Sequence, residues 1–275
     1  MNNPEQSYTL TFPYQLDKIR DNVLDQEAKL KEVARLYADA IGSGGLVHVY
    51  ANGHSRVSVE ELVIRMGALT GFHPILSAAL TTFTDTIGPD GVRVVQFFEK
   101  VEGSGAQLLD EVDFGPKDVL LVITATGTTA AAVDIALEFN KRYPDLPLVG
   151  IASAAQSQEA PAKHSSGMNL WHVLNKAKKG YFVDNGMPVG DLSTEVVGQT
   201  GTYRVCPLSS VGALSIIQSL NELTIKELDF RKIAHHVLRN MHLKDTQDNY
   251  DAWLRDQRKR YAQAIHHPNP VTPLK

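Results

Sequence analysis

Two short runs gather the polar groups that could grip an anion. Asn52-Gly53-His54-Ser55 follows one apolar run, and Thr124-Ala125-Thr126-Gly127-Thr128-Thr129 follows another. Each leads into a stretch with helical spacing. It would therefore present free backbone N–H groups, and the positive end of a helix dipole, to a bound anion. Small residues let the backbone come close, and hydroxyls donate hydrogen bonds without adding charge. Such a cradle suits a phosphate on a sugar, or an isosteric sulfonate. Asn52, Gly53, Ser55, Thr124, Thr126, Gly127, Thr128 and Thr129 are the candidate anion-binding residues. One such turn alone reads as an ordinary helix cap. Two in succession, each after an apolar strand, favour an anion site. Neither is a nucleotide signature, because no Gly-x-x-x-x-Gly-Lys-Ser/Thr occurs and no Gly-x-Gly-x-x-Gly follows the first strand. Gly42-Ser43-Gly44-Gly45 precedes that strand, on the wrong side for a dinucleotide.

Groups able to move protons lie close by. His54, inside the first turn between a glycine and a serine, could open a sugar ring or shuttle a proton near neutral pH. Glu60 and Glu61 fall one to two turns into the following helix, and Arg65 sits four residues after Glu61, at ion-pair spacing. His164 precedes Ser165-Ser166-Gly167 on a loop that could close over a substrate or enter a neighbouring subunit. Arg65, Ser166, Asp184 and Asn185 are candidates for sugar hydroxyls, although Asn185-Gly186 also reads as a plain turn after a strand. His73, beside Pro74, reads as structural. His235, His236 and His242 do not make a metal site, because adjacent histidines point to different helix faces and no Cys or carboxylate stands at ligand spacing. No cofactor is expected.

The elements that must hold these residues can be read from periodicity. After Pro13, a residue suited to a helix start, Leu16, Ile19, Val23, Leu30, Val33, Leu36, Tyr37 and Ile41 form an amphipathic stripe over about 14–41. It is long for one helix, so either a break near Asp25 or packing partly on another subunit is expected. Apolar runs at Leu46–Tyr50, Val119–Thr124, Leu148–Ala152 and Tyr181–Val183 read as strands, with helices at Glu60–Leu69, Ala130–Lys141 and Val211–Leu228. Apolar strands without alternation, separated by helices, predict a mostly parallel sheet covered on both faces, a doubly wound three-layer α/β/α domain. One domain is expected over 1–275, with a helical C-terminal extension over about 229–275 and a proline-rich end after His267.

Composition narrows the partners. A net charge of -4 over 275 residues argues against a nucleic-acid surface. Hydrophobic content of 43% and charged content of 21% are ordinary for a globular chain. The single cysteine, Cys206, cannot form an internal disulfide and sits beside Val205 and Pro207 as a small residue near a strand end. The segment from Met1 to Leu10 is polar and lacks the basic and apolar regions of a signal peptide. No apolar run approaches the ~18 residues of a membrane span. A cytoplasmic protein with a small anionic sugar as ligand, and neither nucleic acid nor membrane as partner, is the expectation.

Thr124-x-Thr126-Gly127-x-Thr129 resembles the Ser-x-Ser-Gly-x-Thr phosphate loop of sugar isomerase (SIS) domains. Further features resemble an uncharacterised phosphosugar-isomerase-like group within that superfamily. They are Gly53-His54-Ser55 with Glu60-Glu61 and Arg65, His164-x-Ser166-Gly167, Asp184-Asn185-Gly186-x-Pro188-x-Gly190-Asp191, and Ser210-x-Gly212-Ala213. The resemblance runs from about Gln15 to the tail. It implies a five-stranded parallel sheet between helices, and a homodimer or homotetramer whose active sites borrow residues from a neighbour. Two positions depart from the group. Ala51-Asn52 precedes Gly53 where Gly-Thr or Gly-Ser is usual, and Met168 follows Ser-Gly where lysine is usual. The missing lysine leaves room for a sulfonated sugar.

The activity that the resemblance implies is aldose–ketose isomerisation through an enediolate, which needs a base over two adjacent carbons and donors for the developing oxyanion. Arg65 stands where many SIS isomerases place their base. Glu61 is therefore the first candidate and Glu60 the second, while Glu222, on the late helix, matches a family glutamate. The alternatives are a sugar-phosphate sensor without turnover, and a lyase, etherase or epimerase of amino-sugar phosphates.

Overall fold

The computed structural model describes residues 9–81, 91–238, 240, 242–243 and 250–264. The first eight residues, the charged segment 244–249, the His266-His267 pair and the proline-rich end lie outside them. The amphipathic stripe forms two helices, α1 (Pro13–Asp25) and α2 (Glu27–Gly42), broken at Gln26. The break has a local cause. The Gln26 amide donates to the Asp184 carbonyl at 2.9 Å and accepts the Asp184 N–H at 2.8 Å, completing the end of an edge strand as a peptide would.

Five parallel strands form the main sheet: β1 (Val47–Ala51), β2 (Phe72–Ile75), β3 (Val119–Ile123), β4 (Leu148–Ala152) and β5 (Gly180–Asp184), in the order β2-β1-β3-β4-β5. Periodicity points to four of these. The fifth, β2, is four residues long and contains Pro74, and proline is tolerated there because β2 is an edge. Alternate side chains enter two cores. Val47, Val49, Val119, Leu121, Ile123, Val149 and Ile151 pack with α2, with α3 (Arg56–Leu62) and with the long helix Ser209–Phe230. Tyr50, Leu120, Val122 and Leu148 pack against the opposite layer, which includes Ala130–Arg142 and Leu170–Lys176. The fold is a three-layer α/β/α arrangement, as expected.

In chain order the remaining helices are α4 (Ala78–Thr81), α5 (Val92–Phe98), α6 (Ser104–Asp110), α7 (Ala130–Arg142), α8 (Ala154–Glu159), α9 (Leu170–Lys176), α10 (Ser209–Phe230) and α11 (Tyr250–Ala264). Helix α3 is shorter than the expected Glu60–Leu69, because Val63 turns extended and Ile64 adopts a φ of 52°. A two-stranded antiparallel hairpin, β6 (Leu192–Gly198) and β7 (Gly201–Pro207), stands apart from the sheet and has no counterpart in the periodicity. No helix among the described residues is long and apolar enough to cross a membrane.

Strand order reverses between β1 and β3, since the chain leaves β1 toward β2 on one side and the later strands add on the other. A crevice opens above such a switch point, at the C-terminal ends of the strands. Asn52 and Thr124 are the residues that leave β1 and β3 there.

Candidate functional site

The first turn begins with Asn52 in extended conformation, at φ -128° and ψ 165°. Gly53 follows at φ +57°, a left-handed value that side chains disfavour, and Gly53–Ser55 then closes one 3₁₀ turn that feeds α3. Asn52, Gly53, His54 and Ser55 line a cavity of about 370 Å³, together with Thr124, Ala125, Thr126 and Thr129 from the second turn. The switch point thus brings the two polar runs onto one site.

The second turn is held by its own hydroxyls and by a buried brace. Thr126 Oγ1 lies 2.9 Å from Thr128 Oγ1 and accepts the Thr128 N–H at 3.2 Å. Gly127 has φ +72°, and a Cβ there would meet Ser157 Oγ at 2.5 Å, so glycine alone fits. The Ala125 carbonyl accepts from the Ser153 N–H at 3.0 Å and from Asn185 Nδ2 at 2.9 Å. Thr129 opens α7, and its side chain makes no capping hydrogen bond with that helix.

A carboxylate that the sequence reading passed over completes the wall. Glu99, at the end of α5, lines this cavity and a second one of about 530 Å³. Its carbonyl accepts the Ala131 N–H at 3.1 Å, which pins it to the start of α7. Burial pushes its carboxyl above the usual carboxylate range, against a hydrogen bond from Asn52 and the charge of Lys100. The signal was faint: one acid directly after Val92–Phe98, a stretch of apolar residues interrupted by Arg93 and Gln96, in a segment separating the two turns. The cavities share Glu99, Ala125, Thr126, Thr129 and Asp191, and the second is also lined by Lys100, Lys163 and Gln156. Two lysines thus stand on the second cavity's wall, at positions other than 168.

Several expected residues serve elsewhere. Glu60 and Glu61 do not line either cavity: they form helical ion pairs with Arg56 Nε at 3.4 Å and Arg65 Nε at 2.7 Å. A seven-residue α3 turns that face to solvent, and Arg65 goes with it. Glu222 is exposed on α10, paired with Lys226, roughly 20 Å along the helix from the cavity at 1.5 Å per residue. Asp184 and Asn185 are structural. Asp184 Oδ1 accepts the Ala154 N–H at 2.7 Å, whereas Asn185 is fully buried, bracing Ala125 and accepting the Met187 N–H at 3.0 Å. Asp191, in the same motif, does line the site, but its carboxylate caps α10 by accepting from the N–H groups of Leu208 and Ser209 and from the Ser209 hydroxyl. His164 is buried and bonds to Ser166, and neither residue lines either of these two cavities.

His73 packs in a buried cluster at the other end of the sheet. His48 Nδ1 lies 3.0 Å from His73 Nδ1, and His48 Nε2 lies 2.9 Å from Asp118 Oδ2. A third cavity of about 510 Å³ lies beside this cluster, between residues 43–46, 113–118 and α11, away from both hydroxyl turns.

A family model described as the SIS domain matches residues 12–153, from α1 to the end of β4. A UPF0309 protein of Shouchella clausii is 24% identical over 249 residues, covering 90% of this chain and 94% of its own. A UPF0309 protein of Listeria monocytogenes serotype 4b is 27% identical over 206 residues, covering 74% and 76%. Among solved structures, a phosphoheptose isomerase from Neisseria gonorrhoeae covers 78% of this chain and 95% of its own, with 11% identity and a TM-score of 0.47.

Proposed function

The chain belongs to the SIS domain family, and from that premise we propose that it is an aldose–ketose isomerase acting on an anionic sugar through an enediolate. The observation that carries this reading is Glu99. It is a half-buried carboxylate with a raised pKa, hydrogen-bonded to Asn52 on the wall shared by two cavities and beside the Thr124–Thr129 turn. A base tuned toward neutrality in a cleft is what proton abstraction next to a carbonyl requires.

In the proposed reaction the Thr124–Thr129 turn and the start of α7 hold the anion. The sugar extends toward Glu99. Its carboxylate takes the proton from C2 of the aldose, and the C–H electron pair moves into the C1–C2 bond as the carbonyl oxygen becomes an enediolate oxygen. The same carboxyl returns the proton to C1, while the C2 hydroxyl loses its proton and becomes the ketone. His54, on the cavity wall, opens the sugar ring and carries the proton between the two oxygens. Gln96 and Ser210 line the same space and donate to sugar hydroxyls, and the Ser209 oxygen, whose proton is given to Asp191, accepts from one.

The test is proton NMR in deuterated buffer with a panel of aldose and ketose phosphates and their sulfonate analogues. Isomerisation incorporates deuterium at the exchanging carbon and yields both sugars from either one. Loss of an ether or a carbon–carbon bond would instead mark an etherase or lyase. Exchange with inversion would mark an epimerase, and tight binding without exchange a sensor.

A further inference from the structure

The turn that follows Glu99 is fastened to a distant loop by a solvent-exposed clamp over a buried histidine. Glu102 accepts the Ser165 N–H at 2.7 Å and also the Ser165 hydroxyl, and these bonds hold its carboxyl below the ordinary range. Beneath them lies His164, with a side chain only 7% exposed. Its Nδ1 accepts the Ser166 N–H at 3.1 Å, which leaves the ring proton on Nε2. Nε2 has no hydrogen-bond partner and points between two carboxylates, 3.7 Å from Glu102 Oε2 and 3.6 Å from Asp134 Oδ1. Asp134 is fixed in turn, since its Oδ2 accepts the Gly105 N–H at 2.7 Å. Lifting this loop would leave two carboxylates facing each other without the imidazole N–H between them.

The residue before this anchor is Lys163, and the residue after Glu99 is Lys100. Both line the second cavity. The clamp therefore fixes, in one frame, a lysine from each of two segments remote in sequence. Hydroxyls and backbone N–H groups of the threonine turn would hold a sulfonyl or a phosphoryl oxygen alike. Two ammonium groups add an attraction that grows with the charge of the ligand, and a phosphoryl group carries nearly two charges at neutral pH where a sulfonyl group carries one. Resting on the reading of the cavity as a sugar-anion site, we propose that Lys100 and Lys163 select a dianionic phosphoryl group over a monoanionic sulfonyl group. Glu102 is the positioning residue that holds Lys163 in place for that selection.

The test needs no turnover. Phosphorus-31 NMR follows inorganic phosphate binding to the full chain from mildly acidic to neutral pH, with methanesulfonate as the monoanionic comparison. Wild type is expected to prefer phosphate and to keep it dianionic at a lower pH than free phosphate. Lys163→Met should weaken phosphate binding about tenfold, the worth of one charge-assisted hydrogen bond. It should also move the bound ion's titration back toward that of free phosphate and leave methanesulfonate nearly unchanged. Lys100→Met should do the same. Glu102→Gln should reproduce part of the Lys163→Met effect and add nothing in the Lys163→Met background, as a residue acting through Lys163 must. Equal binding of the two anions by wild type overturns the proposal, and so does absence of phosphate binding by the folded protein. An equal loss of both anions in Lys163→Met, or a full additional loss from Glu102→Gln in that background, overturns it as well. Should Glu102→Gln fail to fold, the two lysine variants still decide the selectivity. Phosphate selection without sugar turnover would sink the isomerase reading alone, and turnover without lysine-dependent selection would sink this one alone.

Discussion

At the scale of single residues, the site rests on one carboxylate and the groups that tune it. Glu99→Gln keeps the shape and removes the base, so kcat should fall by about 10²–10⁴ while the Michaelis constant changes far less. Stopped-assay isomerisation at saturating sugar checks this, and unaltered kcat would remove Glu99 from the mechanism. Asn52 donates to the ionised carboxylate and so favours the charged form. Removing that donor in Asn52→Ala raises the Glu99 pKa further. The acid limb of the kcat/KM profile, already above the ordinary carboxylate range, should therefore move to higher pH. A limb that stays put or moves to lower pH argues against the assignment. Thr126→Ala removes the hydroxyl that organises Thr128 at 2.9 Å, and should weaken ligand binding more than it lowers the melting temperature.

At the scale of elements, the two hydroxyl turns depend on parts that never touch a ligand. Asn185, at the end of β5, holds the Ala125 carbonyl and the Met187 N–H at once, and its own carbonyl sits where a Cβ on Gly212 of α10 would fall, at 1.9 Å. Asn185→Ala leaves the buried Met187 N–H unpaired, strips the Ala125 carbonyl of one of its two donors, and should cost about 1–3 kcal/mol of stability. Chemical denaturation measures that loss, and ligand affinity should drop with it because the threonine turn loses its brace.

Helix α11 is docked at the opposite edge by a different device. Tyr261 donates to the Phe72 carbonyl and packs its ring 5.0 Å from His73. Burial, with His48 beside it, pushes the His73 imidazole down to about 4, against the pull of Asp118. Burial pushes the Asp118 carboxyl up, but His48 and the N–H groups of Leu46 and Gly115 outweigh it and hold it below its usual range. In the unfolded chain His73 would take up a proton near pH 6.5. Stability is thus fully present above that pH and is lost as pH falls from about 6.5 toward 4, by up to about 3 kcal/mol from His73 alone. Melting temperatures across this window should fall steeply for wild type and less so for His73→Asn. Parallel curves would mean that other groups carry the acid response.

At the scale of the whole molecule, the hairpin is the part least explained by the single chain. Val196, Val197 and Tyr203 are exposed by 48%, 83% and 49%, and two strands alone are marginal in water. The homo-oligomer implied by the family is expected to cover them. Light scattering on the eluted protein should give two or four times the 30.2 kDa chain mass. Replacing Val196 and Val197 with lysine should reduce it, and a monomeric wild type would dismiss the expectation. The feet of the hairpin, Asp191 and Pro207, line the first cavity, so such assembly would be felt at the site.

Some of this was legible residue by residue. β1, β3 and β4 are buried on both faces and so appear as unbroken apolar runs, which local reading detects. The threonine turn was legible too, because Gly127 and its threonines encode a turn and a helix start within six residues. β2 was not, since four residues with a proline carry no period. The end of α3 was not, because pairing of Glu60 and Glu61 with arginines is compatible with a longer helix, and only the reversal at Ile64 stops it.

What the sequence determined by itself was therefore what short-range forces decide: a layered α/β chain, two hydroxyl-bearing turns and the absence of a nucleotide loop. The tertiary structure alone decided which acid meets those turns. Adjacency of β1 and β3, separated by more than sixty residues of chain, sets Asn52 beside Thr124. The bond from the Ala131 N–H of α7 to the Glu99 carbonyl then holds Glu99 beside both, while Glu61 and Glu222, equally acidic in sequence, are left in helical ion pairs outside the cavities. Side-chain chemistry is written locally, but burial and proximity, which turn a carboxylate into a base, are properties of long-range packing.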